Sequence, residues 1–411
     1  MLAILHDDQG IAPMELAGPA RGLCEVVWVV DSDHLEQAST VRFLRKLGTV
    51  VDVAAAGADG TAEALRTAGT TGIFAHSDAT LALAASLAGR LGLPFQDEDA
   101  VACLTDKAAQ RAALRRAGLP VPGWAVLPAG AGPDDVDAAL DGLRFPAVVK
   151  PATGAASRDT VYLADVGDLR AVLDQEPFHG GPRPAMVVEE YLVGAPRPDP
   201  AFADYLSVES VVSHGTISHA AVSGRFPPAE PFRELGLFVP AALAPGLLPE
   251  VLAVAGRAVA AVGVRTGFCH TEIKLTPAGP RVIEVNGRLG GGVPAALGRA
   301  AGVDVIAMAI RVALGEHVAF EGPLPTHRVG YLATAAAPQW ASRVEAVEGL
   351  DAVSAFPGVE SVELKRRPGD ALDWRQGSVG FVYSVVGSTP DLDGLKALKR
   401  CMAEDVVITY G

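Results

Sequence analysis

Lysine is scarce in this chain of 411 residues: 7 stand against 27 arginines, so each lysine marks a place where a compact ammonium replaces the default guanidinium. Positive charge is short overall. Asp and Glu outnumber Lys and Arg 48 to 34, and the net charge of −14 excludes a nucleic-acid partner gripped by clustered basic residues. The four cysteines, Cys24, Cys103, Cys269 and Cys401, are scattered without a CxxC pair, so neither disulfides nor zinc are expected and a reducing cytoplasm is. Long apolar runs are missing as well. LALAASLAG and VLAVAGRAVAAVGV are broken by Gly or Arg short of the ~20 residues of a membrane helix, and MLAIL runs straight into His6, Asp7 and Asp8, so neither a membrane partner nor a leader peptide is expected. Small anionic ligands at a local positive site stay open.

What is present is a globular composition, 49% hydrophobic and 20% charged, in a chain too long for one core. Residues 1–100 alternate apolar runs (LAIL, CEVVWVVD, TVVDVAA, TGIFAHSD) with Ala/Leu-rich or charged stretches, the rhythm of a parallel α/β domain. Its first turn reads HDDQGIAP, which lacks a dinucleotide fingerprint. Asp31 and Asp78 fall at strand ends, on the carboxyl edge where α/β ligands bind. A central domain is expected over 101–320, opening with a helix capped by Thr105 and closed by Gly118, and including a lid of helices and strands over about 120–190. YLSVESVVS and TISHAAVS read as a hairpin about His214-Gly215, and residues 321–411 as a β-rich lobe with one terminal helix.

The densest chemistry lies in GFCHTEIKLTPAGPRVIEVNGRLGGG, residues 267–292. With the turn TPAGP centred on Ala278, Glu272 stands opposite Glu284 and His270 opposite Asn286. Period-2 alternation puts His270, Glu272, Lys274, Glu284, Asn286 and Arg288 on one face, and Ile273, Leu275, Ile283 and Val285 on a core face. Like charges opposite each other destabilise a ladder, whereas a divalent cation between them turns the repulsion into ligation. Two Glu and one Asn are oxygen donors suited to Mg²⁺ or Mn²⁺ rather than zinc.

This hairpin, with its trailing R-L-G-G, resembles the metal-binding hairpin of the ATP-grasp superfamily. The resemblance implies an ATP-grasp fold, with ATP and one or two Mg²⁺ (or Mn²⁺) as cofactors and Glu272, Glu284 and Asn286 as metal ligands. Lys107 in LTDKAAQ and Lys150 in VVKPATGAAS then resemble the phosphate-contacting lysines, the second ahead of a small-residue flap, Ala152 to Ser157. VVEEYLVG resembles the adenine hinge, with Glu189, Glu190, Tyr191 and Leu192 presenting backbone groups and one carboxylate. The ribose acid is displaced by GAPRPDPAFAD, leaving Asp204 or Glu209, and Lys274 completes the ATP set. Arg288, Lys150 and His270 are the catalytic candidates, although His270 could contact substrate or phosphate or orient Asn286. FPPAEPFRELG and CHTEIK are most similar to carboxylate-amine ligases related to bacterial L-amino acid ligases. That branch implies acylphosphate chemistry on small carboxylate and amine substrates, with Asp78, His219, Glu234, Arg288 and Gly291 near them and a homodimer not unusual. A carboxylase or purine-pathway ligase of the superfamily, or a nucleotide-binding regulator without catalysis, are the competing readings.

Overall fold

The structure is a computed structural model. It describes residues 1–35, 39–174, 178, 182–197, 199–244 and 246–411. Gln175, the last residue expected in the VGDLRAVLDQ helix, lies outside them.

Four short apolar runs become β1 (Leu2–Leu5), β2 (Val26–Val30), β3 (Thr49–Asp52) and β4 (Gly72–Ala75), a parallel sheet ordered β3-β2-β1-β4. Leu2 to Leu5 are buried without alternation, as a sheet covered by helices on both faces requires. The next four strands, β5 (Trp124–Leu127), β6 (Ala147–Pro151), β7 (Val161–Leu163) and β8 (Met186–Glu190), form a small antiparallel sheet ordered β5-β8-β6-β7. On one face Leu127, Val149, Leu163 and Met186 pack on Val136 and Leu169 of two covering helices.

The largest element is an eight-stranded antiparallel sheet. It is built from β9 (Tyr205–Ser213), β10 (Thr216–Arg225), β11 (Gly236–Val239), β12 (Gly267–Thr276), β13 (Gly279–Asn286) and β14 (Val329–Ala336). β15 (Val344–Glu348) leaves to pair with β18 (Val407–Tyr410), while β16 (Val359–Leu364) and β17 (Phe381–Thr389) complete the order β13-β12-β9-β10-β11-β14-β17-β16. Past residue 321, β14, β16 and β17 therefore continue the central sheet. Alternation gives the β9–β12 region two characters. Leu206, Val208, Val222 and Ile273 face Val251 and Ala255 of the helix Leu247–Ala261, and the intervening side chains make a polar face. No single helix among the described residues is long and apolar enough to cross a membrane; Val293–Ala301 and Val305–Ala313 would pass only as a pair, bent by 112°.

Candidate active site

The β12–β13 hairpin closes through Pro277-Ala278 between Thr276 and Gly279, and pairs His270 with Asn286 and Glu272 with Glu284. The two glutamates are face to face as the alternation requires. Between Glu272 and Ile273 the register slips by one, so Val282 rather than Ile283 fills the core opposite Ile273. The extra residue is Ile283, at a bulge whose carbonyl accepts a 2.6 Å hydrogen bond from Arg111 Nη2.

That arginine belongs to the helix Lys107–Arg116, which lies along the free edge of β13. The preceding helix Glu98–Thr105 ends where capping by Thr105 was expected. Asp106 is the cap instead, accepting from the Ala109 N–H at 2.8 Å. Residues 107, 110 and 111 share a helix face and all reach the site. The Gln110 amide donates to the Val285 carbonyl and accepts the Val285 N–H, both at 2.8 Å, in place of a neighbouring strand. Arg111 grips Glu189 through Nε and Nη2 at 2.9 Å each, while Lys150 Nζ sits 3.1 Å from the same carboxylate. Burial pushes Glu189 up, but Arg111 and then Lys150 outweigh it and hold the carboxyl at about 2. Lys107 Nζ donates to the Gly154 carbonyl at 2.7 Å and lies 3.4 Å from Glu284 Oε1.

On the polar face, His270 Nδ1 is 2.9 Å from Glu209 Oε1, and its Nε2 is 3.2 Å from Arg225 Nη2 and 3.6 Å from Glu272 Oε1. Burial disfavours the charged ring, yet Glu209 overrides that and raises His270 to about 9. Burial likewise pushes Glu272 up, and His270, Arg225 and Arg288 pull it down to about 2. Glu272 is therefore an anion ready to ligate. Asn286 is 5% exposed, and its side chain makes no hydrogen bond among the described residues. Two opposed carboxylates and an uncommitted amide oxygen are hard-oxygen donors of the kind that suit Mg²⁺ or Mn²⁺.

At the other end of the polar face Lys274 donates to Asp204 at 2.7 Å and lies 5.6 Å from the Tyr191 ring centre. Tyr162 and Phe232 flank Tyr191, the latter at φ +102°, a conformation rare for a non-glycine residue. In the hinge the N–H groups of Glu190 and Tyr191 are taken by the Gly123 and Pro146 carbonyls, leaving that of Leu192 without a backbone partner among the described residues. The hinge carboxylates are committed too. Glu190 pairs with Arg144 at 2.9 Å, and Glu189 is the buried anchor of Arg111 and Lys150 rather than a group open to a base. Glu209 is withdrawn from the ribose choice as well: it is fully buried, accepting from Ser207 Oγ at 2.8 Å and facing His270. In the flap, Ser157 has φ +55°.

Toward β4, Arg288 donates through Nε to Asp78 at 2.9 Å, joining the hairpin to the carboxyl edge of the parallel sheet. Asp31, on the same edge, lies 2.9 Å from His34. Gly291 is exposed just ahead of the helix Val293–Ala301. Glu234 accepts from Arg225 Nε at 3.0 Å and Tyr205 Oη at 3.3 Å, at the margin of the polar face. His219 does not join it. A bulge between His219 and Ala221 shifts the phase of β10, so His219 pairs with Ser210 and bonds its Oγ at 2.9 Å, on the side of Gly256 in the covering helix. Sequence reasoning also missed Gln110, Arg111 and Arg225. The helical spacing from Lys107 was a signal for the first two, and Arg225 directly precedes FPPAEPFRELG.

No family model matches the chain. An uncharacterized protein of Sinorhizobium fredii is 29% identical over 334 residues, covering 78% of this chain and 65% of its own. Carnosine synthase 1 of Mus musculus is 29% identical over 237 residues, covering 54% of this chain and 28% of its own, so this chain spans under two thirds of either relative. Among solved structures, the L-amino acid ligase from Bacillus licheniformis superposes with a TM-score of 0.76 at 21% identity, over 100% of this chain and 98% of that one.

Proposed function

We propose that this chain, which has the ATP-grasp fold, is an ATP-dependent carboxylate-amine ligase that forms an amide or peptide bond through an acylphosphate. The observation that carries the reading is the pairing of Glu272 with Glu284, with Lys107 reaching from Glu284 to the flap carbonyl of Gly154. Metal-ligating carboxylates and a phosphate-binding loop are in one place. Glu272, Glu284 and Asn286 would hold one or two Mg²⁺ or Mn²⁺, whose charge offsets that of the phosphates in phosphoryl transfer.

The chain's own residues supply the rest. Lys107 and Lys150 present ammonium groups to phosphate oxygens, and the Leu192 N–H with the Tyr191 and Phe232 rings suits a purine. Asp204, placed by Lys274, is the acid for ribose hydroxyls. Arg288, oriented by Asp78, offers its remaining N–H groups to charge that develops as a carboxylate attacks the γ-phosphorus and an amine then displaces phosphate. Glu234 and Gly291 border the acceptor, and the β5–β8 sheet closes over the site to keep water from the acylphosphate. His270, fixed between Glu209 and Glu272, sets the position of the metal-binding carboxylate.

The test is phosphate release from MgATP over a panel of amino acids and small carboxylic acids, alone and in pairs, with product masses measured. An amide with stoichiometric phosphate is expected, and Glu284→Gln should lower turnover by about 100-fold or more. Full turnover in Glu284→Gln would overturn the metal assignment. Phosphate release that depends on no acid and amine pair would overturn the ligase.

A further inference from the structure

The flap leaves β6 through Ala152 and Gly154, and three of its non-glycine residues, Ala156, Ser157 and Asp159, have φ of +61°, +55° and +47°. A loop held in the left-handed region needs contacts elsewhere to keep it there. One such contact is the Lys107 bond to Gly154. Another comes from far along the chain, where the short helix Trp374–Val379 precedes β17. The Ser378 N–H donates to the Ala156 carbonyl at 2.8 Å. Gly377 has φ +67°, and a Cβ there would collide with the Ala156 carbonyl oxygen and come within 2.8 Å of the Arg158 nitrogen, so the two backbones meet where only glycine fits. The Ser378 hydroxyl meanwhile accepts the Glu234 N–H at 2.9 Å. Glu234 is the residue whose carboxylate takes Arg225, itself in contact with His270.

We infer that Gly377 and Ser378 are positioning residues: together they clasp the phosphate flap to the Glu234 loop, so that ordering one side of the site orders the other. Ser378 is bivalent. Its backbone holds the nucleotide side and its side chain holds the acceptor side. This rests on the nucleotide reading of the flap, and it assigns to the segment just before β17 a share in the site that neither the hairpin nor the lysines require.

The test is amide hydrogen exchange on the full chain, with and without MgADP, alongside MgADP affinity by calorimetry. In Gly377→Ala, flap amides 154–160 should exchange about tenfold faster and MgADP bind about tenfold more weakly, the weight of a lost hydrogen bond to a positioned loop, while amides of β1 to β4 keep their rates. Ser378→Ala, which leaves the backbone intact, should speed exchange at Glu234, and Ser378→Thr should restore it. Unchanged flap exchange in Gly377→Ala, or equal acceleration across every sheet, would overturn the clasp. So would a Glu234 amide indifferent to Ser378→Ala. A wild-type chain that binds MgADP yet never releases phosphate would sink the ligase reading and leave the clasp to stand on the exchange result.

Discussion

Replacing Arg111 with Met should cost about 3 kcal/mol, and the reason can be worked from one carboxylate. Glu189 is 5% exposed and bonded twice to Arg111, with Lys150 its other cation. Removing one partner from a buried ion pair leaves charge without compensation, at a cost of about 3–5 kcal/mol, and Lys150 keeps the figure at the lower end. The proton linkage leads to a similar size. Glu189 is held at about 2 against 4.5 for the free side chain, a depression worth about 3 kcal/mol. Because the folded value is the lower one, this stability is complete above pH 4.5 and drains away as pH falls toward 2. In Arg111→Met the folded value rises toward the free one, so the Glu189 share of the acid loss shrinks, and the variant's deficit against the wild type should be largest above pH 4.5 and narrow as pH falls toward 2. Trp124 pairs with Glu189 across β5 and β8, so its fluorescence in a urea titration reads the affected sheet. Arg111→Met with Glu189→Gln should recover at least half of the loss, since the buried charge is gone. A loss under about 1 kcal/mol, or a double variant no firmer than the single, would refute the argument.

Three other outcomes are expected. Asp204→Asn should weaken MgADP binding about tenfold by releasing Lys274, with thermal unfolding almost unmoved; calorimetry that shows equal affinity would remove Asp204 from the nucleotide site. Gly330→Ala should destabilise by about 1–3 kcal/mol in urea, because a Cβ there runs into the Ala296 carbonyl of the helix Val293–Ala301. Lys399 sits 4.6 Å from the Phe226 ring centre, and burial lowers it to about 8 from 10.5. The unfolded chain therefore holds that proton more tightly, so the wild type gains stability as pH rises from 8 to 10.5; Lys399→Met should be the firmer protein at pH 7, with an advantage that fades by pH 10. A difference independent of pH would count against this.

The opposed glutamates were legible because alternation about a Pro/Gly turn leaves few registers, and like charges across a ladder demand a reason. The bulge at Ile283 was not. VIEV offers three β-branched or apolar candidates for one core position, and what selects among them is Arg111, 172 residues away in sequence. His219 was misplaced for the same kind of reason: one irregular residue after it reverses the side its neighbours imply. Scarcity drew attention to lysine and away from arginine, although Arg111 and Arg225 are the buried cations that organise the polar face. Thr105 and Asp106 are both sound caps, and the break between two consecutive helices has no local signature that favours either. The parallel sheet was the simplest to read, since its continuous apolar runs depend on nothing distant.

The amide of Gln110 has a consequence for association as well as for position. An outermost strand exposes unpaired N–H and C=O groups that recruit other chains, and on β13 the groups of Val285 are already answered by a side chain from the helix alongside. At the opposite end, β16 is guarded by different means, with Glu360 and Glu363 along it and Lys365 just beyond. Capping by an amide works at any ionic strength, whereas guarding by charge fades as salt screens it. Crowded, saline conditions would therefore favour strand addition at the far edge of the sheet over the stretch of β13 around Val285.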